Sequence, residues 1–290
     1  NNTGKKVKII LVKEVIYMIK VALIGIGKTG KHIANQILEQ DNMEIVCAIC
    51  SPNSRKEGMK LGDLLKNDRT NVKISTSDKL EASIFESKPD VVVDFSTPSA
   101  TMKNALALSK MKVNMVIGTT GFSEESIDKL KNMTYKFDNG IVYAPNITLG
   151  VNVVMLLSNI AASILNNYDF QVLELHHKTK KDIPSGTAIK LSKEIEHGLQ
   201  SSGVFNKDIP VNGVRAGGVI GKHEVLIVGD DDQIKISHES FSRKAFASGA
   251  ISAINYIYKK SGYYEMKDIL DLKRILHKYI DALDENLIAN

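Results

Sequence analysis

The chain has 290 residues, 43% hydrophobic and 24% charged, with a net charge of +5; these are values of a globular protein long enough for two domains. Basic and acidic residues are interspersed, with no zinc-finger spacing and no arginine-rich run, so the charge points to steering of an anionic small molecule and away from a nucleic-acid partner. Two cysteines, Cys47 and Cys50, exclude a disulfide framework and fit a reducing, cytoplasmic setting.

Residues 1–17 contain a short apolar run, Ile9 to Val12, cut off by Lys13 and Glu14. The run is too short for a bilayer and lacks a small-residue cleavage site, so the segment reads as an N-terminal extension. No other stretch is apolar enough for a membrane span. From Ile19 an apolar strand runs into Gly25, Ile26, Gly27, Lys28, Thr29 and Gly30, and a helix follows with Ile33, Ile37 and Leu38 on one face. Set before a second strand, Met43 to Cys50, this G-x-G-x-x-G spacing is a dinucleotide-binding fingerprint, with an ordinary strand–helix turn as the competing explanation. Cys47 and Cys50 lie three apart on that strand, which points them to opposite faces as buried thiols and not as a redox pair.

Residues 51–88 are polar and weakly periodic, with a strand expected near Val72 to Ser75. Strand-like runs follow at Asp90 to Phe95, Val113 to Ile117 and Gly140 to Tyr143. Helical patterns separate them, around Thr101 to Met111 and around Glu124 to Met133, the second capped by Ser123. This alternation predicts an α/β fold: a Rossmann-type parallel sheet that collects ligands beyond the carboxyl ends of its strands. Those ends carry Ser96-Thr97-Pro98, Gly118-Thr119-Thr120 and Ala144-Pro145-Asn146, each explicable alone by turn chemistry.

A long apolar helix after Gly150 leads into a second domain. The stretch E-L-H-H-K-T-K-K-D-I-P-S-G-T-A, from Glu174 to Ala188, begins as the end of a strand in which Val172 and Glu174 alternate with Leu173 and Leu175. It passes through a polar loop and ends by starting a helix at Thr187. Here His176 and His177 stand beside Lys178, Lys180 and Lys181, with Glu174 and Asp182 as counter-charges. Such a cation cluster suits an anionic ligand better than a protein core. Ser185, Gly186 and Thr187 open the next helix, where free N–H groups and hydroxyls form a cradle for a carboxylate or phosphate. Singly, these are strand-end residues and an N-cap; together they gather proton donors, cations and an anion cradle. Segments Val211 to Ala216, Val219 to Val228 and Gln233 to Phe241 read as an antiparallel meander turning at Gly229 to Asp232. The second domain is therefore α+β with a mixed or antiparallel sheet.

The string H-H-x-x-x-K-x-D-x-P-S-G-T-A resembles the signature of the bacterial dihydrodipicolinate reductases, or 4-hydroxy-tetrahydrodipicolinate reductases, of the lysine and diaminopimelate pathway. The segment from Arg215 to His223 resembles the family's R-x-G-x-x-x-G-x-H, and Ser242-Arg243 its next helix start. The likeness runs from Met18 to Leu270 and implies a reductase using NADPH or NADH on a small dicarboxylate. It implies dinucleotide binding by 18–147, completed by about 244–290, and substrate binding and oligomerisation by 148–243. An acid near neutral pKa suits the proton step, making His176 and Lys180 the candidates, and the family roles agree. The resemblance carries over His177, Gly186 and Thr187 as substrate ligands, beside Ser185. It also implies nicotinamide and ribose contacts from Gly118, Thr119, Thr120, Ala144, Pro145, Asn146 and Ile147. Arg243 is a candidate carboxylate partner, though a surface salt bridge explains it equally. Exposed strands of the second sheet need cover, and the resemblance implies a homotetramer.

Two features depart from the family. Where NADH-selecting folds end the second strand in Asp or Glu, this chain has Cys50 and Ser51. Ser51, Arg55 and Lys56 could donate to a 2′-phosphate, so use of both cofactors with NADPH preferred is expected; solvated loop charges are the alternative. The tail from Asp271 to Asn290 is additional, and Leu272, Ile275, Leu276, Tyr279, Ile280 and Leu283 suggest an amphipathic helix. Rival functions are another Rossmann-type reductase, such as an aspartate dehydrogenase, or a non-catalytic NAD(P) sensor; neither requires the His and Lys loop. A metal held by His176, His177 and Asp182 lacks a second ligand motif.

Overall fold

The computed structural model describes residues 17–271, 274, 275, 277 and 278. The N-terminal extension to residue 16 and most of the expected tail helix lie outside the described residues.

One sheet is built from β1 (Ile19–Ile24), β2 (Met43–Cys50), β3 (Ile74–Thr76), β4 (Val91–Asp94), β5 (Asn114–Ile117), β6 (Gly140–Tyr143) and β11 (Gly262–Tyr264). Its order is β11-β6-β5-β4-β1-β2-β3, and every adjacent pair is parallel. Runs such as Val91-Val92-Val93 are wholly buried, as they must be in a parallel sheet covered on both faces. On one face α1 (Lys28–Leu38) packs beside α8 (Lys244–Ile257), with Ile33 and Ile37 meeting Ala250 and Ile254. On the other lie α3 (Leu80–Ser87), α4 (Pro98–Lys110) and α5 (Glu124–Phe137). Cys50 joins the first of these cores and Cys47 the second, both as free thiols on opposite faces. Ser123 caps α5 by accepting from Ser126 N–H. The strand order reverses between β1 and β4, which opens a crevice at their carboxyl ends.

Several elements differ from the sequence reading. The polar stretch 51–88 holds α2 (Leu61–Leu65) and α3, and its strand starts later, at Ile74. The three-residue β11 is too short to give a periodic signal, yet it extends the sheet beside β6. The second sheet has the order β10-β9-β7-β8, formed by β7 (Asp169–His176), β8 (Val211–Arg215), β9 (Lys222–Val228) and β10 (Gln233–Glu239). It is mixed and not a meander, because β8 runs parallel to β7 and does not pair with β9. The cause is the connection: the chain passes from β7 to β8 through α7 (Gly186–Ser201), and a helical crossover returns a strand in the same direction.

The helices α6 (Leu149–Ile164) and α7 cover one face of this second sheet, where Val154, Met155, Leu191 and Ile195 meet Phe170, Val172, Val225 and Ile227. The opposite face leaves Val214 exposed and Leu173 and Leu175 half-covered. After β10 the chain returns to the first sheet through α8, β11 and the short α9 (Met266–Ile269). The crossing is tight: a Cβ at Gly249 would overlap the Ile147 carbonyl oxygen. Among the described residues no helix is long and apolar enough to cross a membrane.

Candidate active site

The crevice begins at the loop after β1. Gly25 has φ +90°, and a Cβ there would run into the Phe95 backbone. A Cβ at Gly30 would overlap the Gly25 carbonyl oxygen, so helix and turn pack without side chains between them. Gly27, at the N-cap of α1, has nothing within 4 Å of its Cβ position. A tight turn, a close helix approach and open space before a helix N-terminus together fit a dinucleotide pyrophosphate. Ile26 buries its side chain in the core, while its carbonyl accepts from Lys56 Nζ at 2.6 Å. Lys28 is exposed and Thr29 half-buried. Ser51 lies just past the end of β2 and is exposed; Arg55 is exposed and makes no hydrogen bond or ion pair among the described residues.

The loops after β4 and β5 share one anchor that the sequence reading passed over. Buried Asp94 accepts from Ser96 N–H (2.8 Å), Ser96 Oγ (2.6 Å), Thr101 Oγ1 (3.2 Å) and Asn104 Nδ2 (3.2 Å). Burial pushes its carboxyl above the usual range, against the pull of those bonds. The Thr119 hydroxyl turns inward onto the Asp94 carbonyl at 3.4 Å, leaving Thr120 exposed. Gly118 has no room for a Cβ, which would overlap the Phe95 ring.

After β6, Ala144 and Ile147 are buried and Pro145 half-buried. The Asn146 carbonyl accepts from Asn152 Nδ2 at 2.7 Å, and its Oδ1 accepts from Thr187 Oγ1 at 2.5 Å. That second bond joins the crevice of the first sheet to the helix start of the second.

Alternation along β7 buries Phe170, Val172, Glu174 and His176 on one face. Glu174 is thus a strand residue, as its alternation implies, and a counter-charge that is fully enclosed. Its Oε1 accepts from Ser185 N–H at 2.8 Å and from the Arg215 guanidinium at 2.8 Å. Its Oε2 lies 3.1 Å from His176 Nδ1, out of line for a hydrogen bond, and 3.8 Å from His223 Nε2. The His176 and His223 rings meet edge to face with centroids 5.0 Å apart, and Arg215 also donates to the Asp182 carbonyl.

These contacts set the charges. Burial works to raise the Glu174 carboxyl, but the bonds from Ser185 and Arg215 prevail and hold it below its ordinary value. Burial lowers the His176 imidazole; Glu174 opposes this, and Lys180 and Arg215 add to it. Burial, then His176, push His223 down to about 3, so it is neutral at neutral pH.

The Ser185 hydroxyl is turned inward, capping α7 through Ala188 N–H at 3.2 Å and lying 3.3 Å from His223 Nε2. The N–H groups of Gly186 and Thr187 donate to no acceptor among the described residues, and a Cβ at Gly186 would meet nothing within 4 Å. Lys180 Nζ is held by both Asp182 oxygens at 2.8 Å, and His177 Nδ1 lies 2.8 Å from Thr179 Oγ1. Arg243 stands at the N-cap of α8, half-buried, and its guanidinium makes no hydrogen bond or ion pair among the described residues. Donor atoms of Glu174, His176 and His223 lie within 4.8 Å of one another, but the Arg215 guanidinium already occupies that carboxylate and would repel a divalent cation. Arg215 and His223 entered the sequence reading only as parts of a pattern; their facing of Glu174 needs the register of β7, β8 and β9.

Residues 19–147 match the family model described as dihydrodipicolinate reductase, N-terminus, and 150–270 the model for its C-terminus. The chain is 37% identical over 272 residues to the 4-hydroxy-tetrahydrodipicolinate reductase of Methanocaldococcus jannaschii, covering 89% of this chain and 99% of the relative. The Methanothermobacter thermautotrophicus enzyme of that name is 36% identical over 255 residues, covering 83% and 93%. Among solved structures, dipicolinate-bound dihydrodipicolinate reductase from Paenisporosarcina sp. TG-14 superposes with TM-score 0.68 at 28% identity, covering 86% of this chain and 97% of that one. With both halves of the chain matched and this level of identity across nearly its full described length, the chain belongs to the dihydrodipicolinate reductase family.

Proposed function

We infer that this protein reduces 4-hydroxy-tetrahydrodipicolinate to tetrahydrodipicolinate with a nicotinamide dinucleotide, in lysine and diaminopimelate biosynthesis. One observation carries this reading: the open glycine loop of the first sheet and the cationic turn of the second are tied together by the Thr187–Asn146 hydrogen bond. Nicotinamide, when bound, supplies the hydride. Gly25, Gly27 and Gly30 would cradle the dinucleotide's pyrophosphate, and the loops anchored by Asp94 and Asn146 would hold its nicotinamide end.

A dicarboxylate ring needs anion partners and a proton source. The free N–H groups of Gly186 and Thr187 hold one carboxylate at the positive end of α7, while the Thr187 hydroxyl is committed to Asn146. His177 and Arg243 are assigned to the same ligand, and Ser185 supports it from behind as the cap. With the 4-hydroxyl lost as water, reduction adds a hydride and a proton across the conjugated bond this leaves, so the ring needs a proton donor as electron density builds up. His176 fills that role, and the Lys180 ammonium stabilises the negative charge and delivers protons once Asp182 releases it. Asp182, held below its ordinary pKa mainly by Lys180 against the effect of burial, stays ionised throughout.

NADPH is assigned as the preferred of the two cofactors, because no carboxylate ends β2 and Ser51 and Arg55 stand free beside it. The exposed face and edges of the second sheet are assigned to a homotetramer, and the enzyme to the cytoplasm. The test is oxidation of NADPH and NADH with enzymatically generated substrate, with sedimentation for assembly. Turnover with both cofactors and a higher kcat/KM for NADPH is expected; no substrate-dependent oxidation refutes the reading.

A further inference from the structure

The turn assigned to proton transfer and substrate binding is built over a carboxylate that reaches out to neither solvent nor the open space before Gly186. The Glu174 side chain has 0% exposure, and its oxygens meet the head of α7, β8, β9 and its own strand. We propose that Glu174 is a positioning residue for the reduction: it holds the His176 imidazole by Nδ1 and the Ser185 N–H of the cradle, so one side chain sets both proton donor and substrate anchor. This rests on the assignment of His176 as proton donor.

A carboxylate beside Nδ1 keeps a proton on that nitrogen and stabilises the imidazolium, leaving Nε2 to give its proton away. Gly221 lies on the Nε2 side, and a Cβ there would come within 3.1 Å of it, so the missing side chain keeps that nitrogen open. The Nδ1 contact, at 3.1 Å but out of line, is of the kind that tightens in a Michaelis complex. Neutralising Arg215 alone would not require the same carboxylate to meet both Ser185 and His176. The charged and titratable groups facing His176 are Glu174 on its own strand, Arg215 on β8, His223 on β9, and Lys180 and Asp182 in the turn.

The experiment uses the full chain and follows the His176 imidazole by NMR, assigned by loss of its signal in His176→Gln, alongside the pH profile of kcat. Glu174→Gln keeps an oxygen for Ser185 N–H but removes the charge. The His176 midpoint and the alkaline fall of kcat should then move together to lower pH by about one unit, with KM within about twofold of wild type. Arg215→Gln leaves the carboxylate without its cation and should move both upward. Glu174→Ala, which takes the acceptor from Ser185 as well, should also raise KM. A kcat for Glu174→Gln that is unchanged, or reduced equally at every pH with the His176 midpoint unmoved, overturns the proposal. If circular dichroism finds Glu174→Gln unfolded, Arg215→Gln decides alone, and no upward movement overturns it. Wild-type turnover in His176→Gln would instead remove the proton-donor assignment, a different failure from a His176-dependent turnover that ignores Glu174.

Discussion

Gly186 separates binding from folding more cleanly than any other position in the cradle. It is the first residue of α7, its φ is not in the left-handed region, and a Cβ would meet nothing within 4 Å. Gly186→Ala therefore introduces no clash in the free protein and should raise helix stability by a few tenths of a kcal/mol, up to about 1 kcal/mol. For a chain this long that is an increase of up to about 3 °C in Tm. The same methyl fills the space through which a carboxylate approaches the Gly186 and Thr187 N–H groups. A hydrogen bond to a charged group contributes about 1.5–3 kcal/mol, so losing one should raise the substrate KM about 10- to 150-fold. Calorimetry with dipicolinate as a dicarboxylate probe, thermal melts and steady-state kinetics measure the two effects separately, with NADPH affinity as the control. An unchanged KM, or a lowered Tm with weakened NADPH binding, would refute the placement of the substrate carboxylate.

Gly30→Ala should behave in the opposite way, losing stability and cofactor affinity together, because its methyl overlaps the Gly25 carbonyl; melts and fluorescence titration with NADPH check it. Arg55→Ala should reduce NADPH preference with little change for NADH, whereas Lys56→Ala, which frees the Ile26 carbonyl held at 2.6 Å, should weaken both cofactors alike; kcat/KM for each cofactor decides. His223 has an ordinary value of 6.5 lowered to about 3. The unfolded chain therefore takes up a proton that the folded one refuses, so stability is full above about pH 6.5 and falls toward pH 3 by up to about 1.4 kcal/mol per pH unit. Denaturant titrations should show that slope shrinking in His223→Gln.

Much of this molecule is legible in its residues. The glycine fingerprint fell at the turn between β1 and α1, the βα alternation placed the parallel sheet, and Cys47 and Cys50 divided between faces as a period of two requires. Glu174 shows where legibility stops and why. A glutamate beside two histidines and a lysine-rich turn reads as a counter-charge, yet it shares a face with Phe170, Val172 and His176, and that alternation also signals its burial. Asp94 falls within the strand-like run Asp90 to Phe95, and its anchoring role shows only once the side chains of α4 fold over it. The pairing of β8 with β7, and so Arg215 with Glu174, is hidden because the short link from β8 to β9 reads locally as a hairpin turn.

The central claim is that a pyridine-nucleotide hydride and a proton from the His176–Lys180 turn meet on one dicarboxylate. Single-turnover NADPH oxidation in the presence of enzymatically generated 4-hydroxy-tetrahydrodipicolinate, compared among wild type, His176→Gln and Lys180→Ala, tests it most directly. The account predicts substrate-dependent oxidation by the wild type and a loss of about a hundredfold or more in each variant, with NADPH affinity unchanged. Oxidation at the wild-type rate in both variants would contradict it.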